Sequence, residues 1–136
     1  MDGPTTGGDA HMKRCLIVED QALIGMALET ALEETDVWTC DLVHSAGEAL
    51  AYLSRMRPDA AILDYVLRDG ICTGLAQALH GSAIPFLIYS GHHRSDLPSE
   101  LGNVTWIEKP TDHARLVETL GGLEQTRREQ RVPEPA

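Results

Sequence analysis

The sequence predicts an α/β fold in which a five-stranded parallel sheet is covered by helices on both faces. Five short apolar stretches alternate along the chain with segments of helical periodicity, which is the pattern of repeated strand–helix units. Two of the apolar stretches end in carboxylates, at Glu19-Asp20 and at Asp64. The carboxyl ends of parallel strands form the crevice where open α/β sheets bind ligands.

The composition of the chain limits the classes of function. Its 136 residues, 43% of them apolar, suit one domain with a real core. A formal net charge of −10 argues against binding nucleic acid or anionic lipid. No apolar run approaches the roughly 20 residues of a membrane span, and no signal-peptide pattern opens the chain. Cys15, Cys40 and Cys72 show no metal or redox spacing, which predicts buried thiols in a reducing cytoplasm.

The first half of the chain contains three predicted strands and two predicted helices. The strands are at 14–18, 37–43 and 59–64. The first helix, at 21–34, has a stripe that we expect to face the core, formed by Leu23, Met26, Ala27, Thr30 and Ala31. The second helix begins at an N-cap, Ser45, with Glu48 as its capping-box partner, and Pro58 marks its end. Its predicted core residues are Ala46, Ala49, Leu50 and Leu53.

The second half continues the same alternation. Asp69-Gly70 indicates a loop, and a short helix follows from Cys72 until Gly81 stops it. Strands are predicted at 84–89 and 103–107, with Pro85 tolerated at the start of the first of these. Thr111 or Asp112 caps a final helix that buries Leu116, Val117, Leu120 and Leu123 and is weakened at its end by Gly121-Gly122. Only twelve residues separate Ser90 from Asn103, so the fourth helix is predicted to be shortened or irregular.

The two ends of the chain differ in composition from the middle. Residues 1–12 are predicted to be a flexible leader or a tag remnant, with Met12 as a natural start. Residues 126–136 are predicted to be a flexible polar tail. The folded domain is therefore predicted to span 13–125.

A set of polar residues follows four of the predicted strands: Glu19-Asp20, Asp64, Ser90 and Lys109-Pro110. In order, type and spacing this set resembles the receiver domains of two-component response regulators, and 64–70 resembles the phosphoacceptor loop of that family. The resemblance covers about 13–125. It implies a flavodoxin-like (βα)5 sheet, doubly wound, with strand order 2-1-3-4-5.

The resemblance assigns a role to each acidic residue. Asp64 would accept the phosphoryl group and supply a Mg²⁺ ligand, Asp20 would bind the metal directly, and Glu19 would act mainly through water. The carbonyl of Val66 would complete the protein ligands, and Mn²⁺ would be able to substitute. The chemistry agrees, because crowded carboxylates repel and a hard divalent cation relieves that repulsion. An aspartate can also accept a phosphoryl group as an acyl phosphate.

The remaining positions would stabilise and sense the phosphoryl group. The resemblance implies that Lys109 neutralises its charge, that a cis bond to Pro110 aims the lysine, and that the Ser90 hydroxyl is the switch. Trp106 is the candidate switch aromatic, and the alternative is that it only covers the sheet edge. His92-His93 is predicted to be a polar loop or a partner contact rather than a metal site.

Each of these residues alone has an ordinary structural explanation. Asp64 could be a loop acid, Glu19-Asp20 could cap the helix that follows, and Lys109 could be a solvated lysine. Pro110 is also a normal first residue of a helix. The ordered occurrence of the whole set at strand ends is what argues for a site.

The leading hypothesis is a stand-alone cytoplasmic receiver, phosphorylated on Asp64 by a sensor histidine kinase. It would signal by contact with a histidine phosphotransferase or a downstream regulator, or act as a phosphate sink. It is not expected to be an enzyme beyond its own phosphorylation and slow dephosphorylation. The alternatives are a receiver-like interaction module that is not phosphorylated and, much less favoured, a phosphohydrolase with an aspartyl nucleophile. Glu19-Asp20 lacks the spacing of such hydrolases.

Two departures from the family pattern concern how phosphorylation would be communicated to a partner protein. The strand end Tyr89-Ser90-Gly91 resembles that of single-domain regulators, which usually lack the switch aromatic, whereas Trp106 is present here. The segment 91–102 contains glycines and Pro98, so we expect it to be flexible and to become ordered on phosphorylation or partner binding.

Overall fold

The computed structural model describes residues 12–92 and 103–130 and shows a parallel sheet with helices on both faces. The sheet strands are β1 (Lys13–Val18), β2 (Trp38–Val43), β3 (Ala60–Leu63), β6 (Phe86–Ser90) and β7 (Thr105–Glu108). A separate hairpin is formed by β4 (Val66–Leu67) and β5 (Gly70–Ile71). The helices are α1 (Ala22–Glu33), α2 (Ala46–Leu53), α3 (Thr73–Gly81) and α4 (His113–Gln130).

The strand order confirms the predicted topology. The sheet runs β2-β1-β3-β6-β7 with every neighbouring pair parallel, which is the order 2-1-3-4-5 once the hairpin strands are set aside. The hairpin itself was not predicted. Each of its strands has two residues, too few for a periodic pattern to reveal.

Successive residues of β1 show how one sheet serves two cores. Cys15 and Ile17 belong to the apolar cluster that includes residues of α1 and α4, whereas Leu16 and Val18 belong to the cluster with α2 and α3. All four are at most 1% exposed. Such burial on both faces explains why the strands read as continuous apolar runs rather than as alternating ones.

The predicted core face of α1 was wrong. Leu23 is 82% exposed and Met26 is 54% exposed, whereas Gly25, Leu28 and Leu32 are buried. Two stripes on this helix are apolar, and the one that contains glycine can approach the sheet more closely. A Cβ at Gly25 would lie 2.7 Å from Leu42 Cδ1 on β2.

Helix α2 begins as predicted. The Glu48 amide donates to Ser45 Oγ (3.1 Å), and the Glu48 carboxylate accepts from the His44 amide (2.8 Å). Ala49 is fully buried, but Leu50 is 45% exposed, so its predicted core position was wrong. Tyr52 is buried instead, and its hydroxyl can enter the core because it donates to the Asp41 carboxylate at 2.6 Å.

Replacing Ser45 with alanine is expected to lower the free energy of unfolding by about 1 kcal/mol, because the Glu48 amide then loses its cap. Urea denaturation followed by circular dichroism measures the change. Ser54→Ala at the other end of α2 is the control, since Ala51 O still accepts from the Ser54 amide after the hydroxyl is removed. An unchanged midpoint for Ser45→Ala would contradict the assignment of the cap.

Helix α4 extends further than expected. Asp112 caps it through a hydrogen bond from the Ala114 amide (3.0 Å), and Leu116 and Leu120 are buried as predicted. The helix continues past Gly121-Gly122 to Gln130, beyond the predicted domain end at 125. The continuation is supported by Glu124, which is 4% exposed and forms an ion pair with Lys13 of β1 (2.8 Å).

Some predictions lie outside the described residues. These are the shortened fourth helix, the ends of the chain at 1–11 and 131–136, and most of the segment 91–102 that was expected to become ordered; Gly91 and His92 of that segment are described.

Cys15, Cys40 and Cys72 are buried and free, as predicted. Cys15 and Cys40 are nonetheless direct neighbours in the register of β1 and β2. In the part of the chain that the structure describes, no helix is long and apolar enough to cross a membrane.

Candidate functional site

Three carboxylates meet at the carboxyl edge of the sheet. Glu19 and Asp20 follow β1 and Asp64 follows β3, and because these strands are neighbours their ends lie side by side. One oxygen from each residue lies within 4.8 Å of the others, the one such group of potential metal ligands in residues 12–92 and 103–130. Glu19 is 2% exposed and Asp64 is 8% exposed, so much of this negative charge is out of water.

Lys109 neutralises part of that charge. It follows β7, and its ammonium donates to Glu19 Oε1 (2.9 Å) and to Asp64 Oδ2 (3.0 Å). The Lys109 amide also donates to the Ser90 carbonyl (2.8 Å), which continues the ladder between β6 and β7 beyond Glu108. The Lys109-Pro110 peptide bond is cis, as the resemblance implied.

The pKa values at the site reflect burial and pairing. Burial raises the pKa of Glu19, and the nearby Asp64 charge adds to this, while hydrogen bonds from Lys109 and the Gln21 amide oppose it. Burial alone would lower the pKa of Lys109, but its hydrogen bonds to Glu19 and Asp64 outweigh burial and leave that pKa raised. Lys109 is therefore held as a cation between carboxylates.

The carboxylate of Glu19 also performs the ordinary structural task considered for it. Glu19 Oε2 accepts a hydrogen bond from the Gln21 amide (3.1 Å) at the start of α1. Glu19 therefore supports the start of α1 with one oxygen while the other binds Lys109. Its expected part in metal binding, through water, stays a prediction.

An open cleft of about 320 Å³ lies beside the carboxylates. Its lining includes Asp20, Asp64, Val66, His92 and Lys109. The residues fit a hard divalent cation, because three carboxylates offer oxygen donors and the open cleft admits water. Which of these residues act as ligands stays a prediction.

Ser90 is fully buried at the end of β6, and its hydroxyl is tied to the next loop. The hydroxyl oxygen accepts from the His92 amide (3.2 Å) and lies 3.4 Å from His92 Nδ1. The Trp106 indole donates to the His92 carbonyl (3.0 Å). Trp106 of β7 and Ser90 of β6 are therefore connected through a single residue.

Tyr65 completes this connection and was missed by sequence reasoning. Its ring packs against the rings of Trp106, at 5.2 Å between centroids, and of His92, at 5.7 Å in an edge-on arrangement. Its position directly after Asp64 places it at the site, but no sequence pattern distinguishes such a residue from a core tyrosine.

Known proteins are similar to this chain over most of its length. A family model described as the response regulator receiver domain matches residues 15–121. The chain is 30% identical over 129 residues to the transcriptional regulatory protein PdtaR of Mycobacterium tuberculosis, covering 88% of this chain and 61% of that protein. It is 32% identical over 124 residues to the transcriptional regulatory protein PcoR of Escherichia coli, covering 88% of this chain and 54% of that protein.

A solved structure gives the same result at the level of the fold. A CheY-like response regulator receiver domain from Methylobacillus flagellatus matches with a TM-score of 0.72 at 28% sequence identity. The match covers 82% of this chain and 98% of that domain. The curated relatives are longer, and this chain spans less than two thirds of either. The chain belongs to the response regulator receiver domain family.

Proposed function

We propose that this protein accepts a phosphoryl group on Asp64 from the phosphohistidine of a sensor histidine kinase in the cytoplasm. The observation that carries the proposal is the placement of Lys109, whose ammonium bonds both Glu19 and Asp64 at the carboxyl edge of the sheet. A carboxylate nucleophile needs neighbouring positive charge, because the incoming phosphoryl group brings further negative charge to it.

The residues that would hold Mg²⁺ are Asp20 and Asp64 through their carboxylates, Val66 through its carbonyl, and Glu19 through water. When bound, the ion would neutralise charge on the phosphoryl oxygens. Asp64 would attack phosphorus with a carboxylate oxygen, and the bond from phosphorus to the histidine nitrogen would break. The nitrogen leaves with the electron pair, and Lys109 stabilises the charge that develops on the phosphoryl oxygens.

The phosphorylated state would be sensed by Ser90. Its hydroxyl would donate to a phosphoryl oxygen and would then exchange its present contact with His92 for the new one. Because the His92 carbonyl accepts from Trp106, a change at this loop would reach the surface of β7, which is an edge strand. The proposed output is contact with a histidine phosphotransferase or another regulator, or storage of phosphate.

The alternatives make different use of the same residues. An interaction module that is never phosphorylated would have no use for a lysine and two carboxylates buried together, because apolar residues of similar volume are often at least as stable as a buried ion pair. A phosphohydrolase would need a second acid placed to activate water after transfer. Besides Asp64, the described cluster contains two acids, Glu19 and Asp20. Both oxygens of Glu19 are already bonded, to Lys109 and to the Gln21 amide, which leaves Asp20 as the acid of this cluster for that role.

The test is the intact mass of the protein after incubation with a small acyl-phosphate donor and Mg²⁺. The expected result is one added phosphoryl group on the wild type, and none without Mg²⁺ or in Asp64→Asn. A folded, Mg²⁺-binding wild type that gains no mass, or an Asp64→Asn variant that gains the same mass, would overturn the proposal.

A further inference from the structure

The hairpin that follows Asp64 is too small to hold its own shape. Val66 pairs with Ile71 and Leu67 pairs with Gly70 across a turn formed by Arg68 and Asp69. Even a longer isolated hairpin is only marginally stable in water, so this one depends on contacts with the rest of the domain. Gly70 has a φ of 127°, which only glycine adopts readily, and this fixes where the turn can be made.

Asp69 binds the hairpin to the start of α2. Its Oδ1 accepts from the Ala46 amide (3.0 Å) and its Oδ2 accepts from the Gly47 amide (2.9 Å). These amides have no acceptor within the helix, and a carboxylate at a helix N-terminus is also favoured by the helix dipole. The same two hydrogen bonds lower the pKa of Asp69, so the side chain is a carboxylate at neutral pH.

The turn also contacts the other acidic loop. The Arg68 guanidinium donates to the Asp20 carbonyl at 3.5 Å, and the base of the hairpin is closed by a hydrogen bond from the Cys72 amide to the Tyr65 carbonyl (2.8 Å). Only four residues separate Asp64 from Asp69. A displacement of the turn would therefore be transmitted directly to Val66, which lines the cleft beside Asp64.

We propose that Asp69 is a positioning residue for the site: by fixing the hairpin to α2, it holds the Val66 carbonyl where a Mg²⁺ ion bound by Asp20 and Asp64 can use it. This inference rests on the proposed function for its metal site. The simpler alternative is that Asp69 is only a second cap for α2, with no effect on metal binding.

Ser45 separates these explanations. Its hydroxyl caps the same helix terminus by accepting from the Glu48 amide, but it belongs to the loop before α2 rather than to the hairpin. Ser45→Ala and Asp69→Ala should therefore both lower the melting temperature. Only Asp69→Ala should also weaken metal binding.

The experiment is a calorimetric titration of Mg²⁺ into wild type, Asp69→Ala and Ser45→Ala, with thermal melts of each. We expect Asp69→Ala to bind Mg²⁺ about tenfold more weakly than wild type, as for the loss of other supports of metal ligands. Ser45→Ala should bind as wild type does. Equal affinity in all three proteins, or an equal loss in both variants, would overturn the inference.

A second variant covers the case in which Asp69→Ala does not fold. Asparagine keeps one acceptor oxygen but turns an NH₂ group toward the other amide, so Asp69→Asn should weaken Mg²⁺ binding to an intermediate degree. Wild-type affinity in Asp69→Asn would then overturn the inference.

Phosphorylation by the acyl-phosphate donor, measured in parallel, distinguishes failure of the proposed function from failure of the inference about Asp69. A wild type that binds Mg²⁺ without gaining a phosphoryl group contradicts that function and leaves the titrations to decide on Asp69. A wild type that binds no Mg²⁺ overturns the inference itself.

Discussion

Replacing Lys109 with methionine is expected to slow the phosphorylation of Asp64 by about 10²–10³-fold, the usual effect of removing one preorganised group that stabilises developing charge. Methionine has nearly the length of lysine, so packing changes little while both hydrogen bonds to Glu19 and Asp64 are lost. The measurement is the rate of mass gain with the acyl-phosphate donor at saturating Mg²⁺.

The same change should destabilise the fold in a way that depends on pH. Loss of the cation leaves Glu19 and Asp64 buried without their charge partner, at a cost of about 3 kcal/mol at neutral pH, the low end for a buried pair because the Lys109 side chain is 17% exposed. The pKa of Glu19, already raised by burial, should rise further. A carboxyl whose folded-state pKa is raised contributes stability that is present below its unfolded pKa and is lost as pH rises through the folded value.

The deficit of Lys109→Met relative to wild type should therefore be largest above neutral pH and should narrow toward pH 5. The pKa of Lys109 itself is raised, so the stability that its charge contributes to wild type stays constant throughout this range. Urea denaturation at several pH values measures the difference. A deficit that is independent of pH would show that lost packing, not unpaired charge, causes it.

Lys13→Met is the matched control. Lys13 also pairs with a buried carboxylate, Glu124, which is contributed by α4, and its side chain is 23% exposed against 17% for Lys109. Loss of that pair should cost stability without slowing phosphorylation. Added Mg²⁺ should stabilise Lys109→Met more than it stabilises wild type, since it brings positive charge to the same carboxylates. It should stabilise Lys13→Met only as much as wild type. Equal slowing in both variants would contradict the role of Lys109.

The order of the parallel strands could be predicted from the sequence because these strands are short, largely apolar runs that alternate with helix signals. The acidic residues were equally visible, since a parallel sheet brings the ends of neighbouring strands together whatever the details of packing. The choice between the two apolar stripes of α1 was not visible. It depends on how closely Gly25 lets the helix approach Leu42, which is a property of the packed pair and not of either segment.

The contacts around the site were the least predictable part. The Tyr65 ring packs against the rings of Trp106 and His92, and the Trp106 indole donates to the His92 carbonyl. None of these contacts leaves a periodic signal in the sequence. The link from Asp69 to α2 spans 22 residues to Gly47 and appears only once the loop has its shape. These contacts depend on the shape of the folded loops, whereas a sequence motif is defined only by the spacing of residues along the chain.

Replacing Asp20 with asparagine is expected to weaken Mg²⁺ binding by about a hundredfold, because a full negative charge is lost next to a divalent cation in a partly buried cluster. A ligand that binds only the folded state stabilises it, so Mg²⁺ at a hundred times its wild-type dissociation constant should add about 2.7 kcal/mol to the free energy of unfolding. The same concentration would only equal the dissociation constant of Asp20→Asn and should add about 0.4 kcal/mol.

Asp36→Asn provides the control for that comparison. Asp36 lies just before β2, at the opposite end of the sheet from the carboxylates, and it is exposed with a φ of 61°, a conformation that asparagine also tolerates. The Asp36→Asn variant loses the same charge as Asp20→Asn, but Mg²⁺ should stabilise it as much as it stabilises wild type. Without Mg²⁺, Asp20→Asn should be at least as stable as wild type, because one of three mutually repelling carboxylates is gone. If Mg²⁺ stabilised Asp20→Asn and Asp36→Asn equally, the ion would be binding elsewhere and Asp20 would not be its ligand.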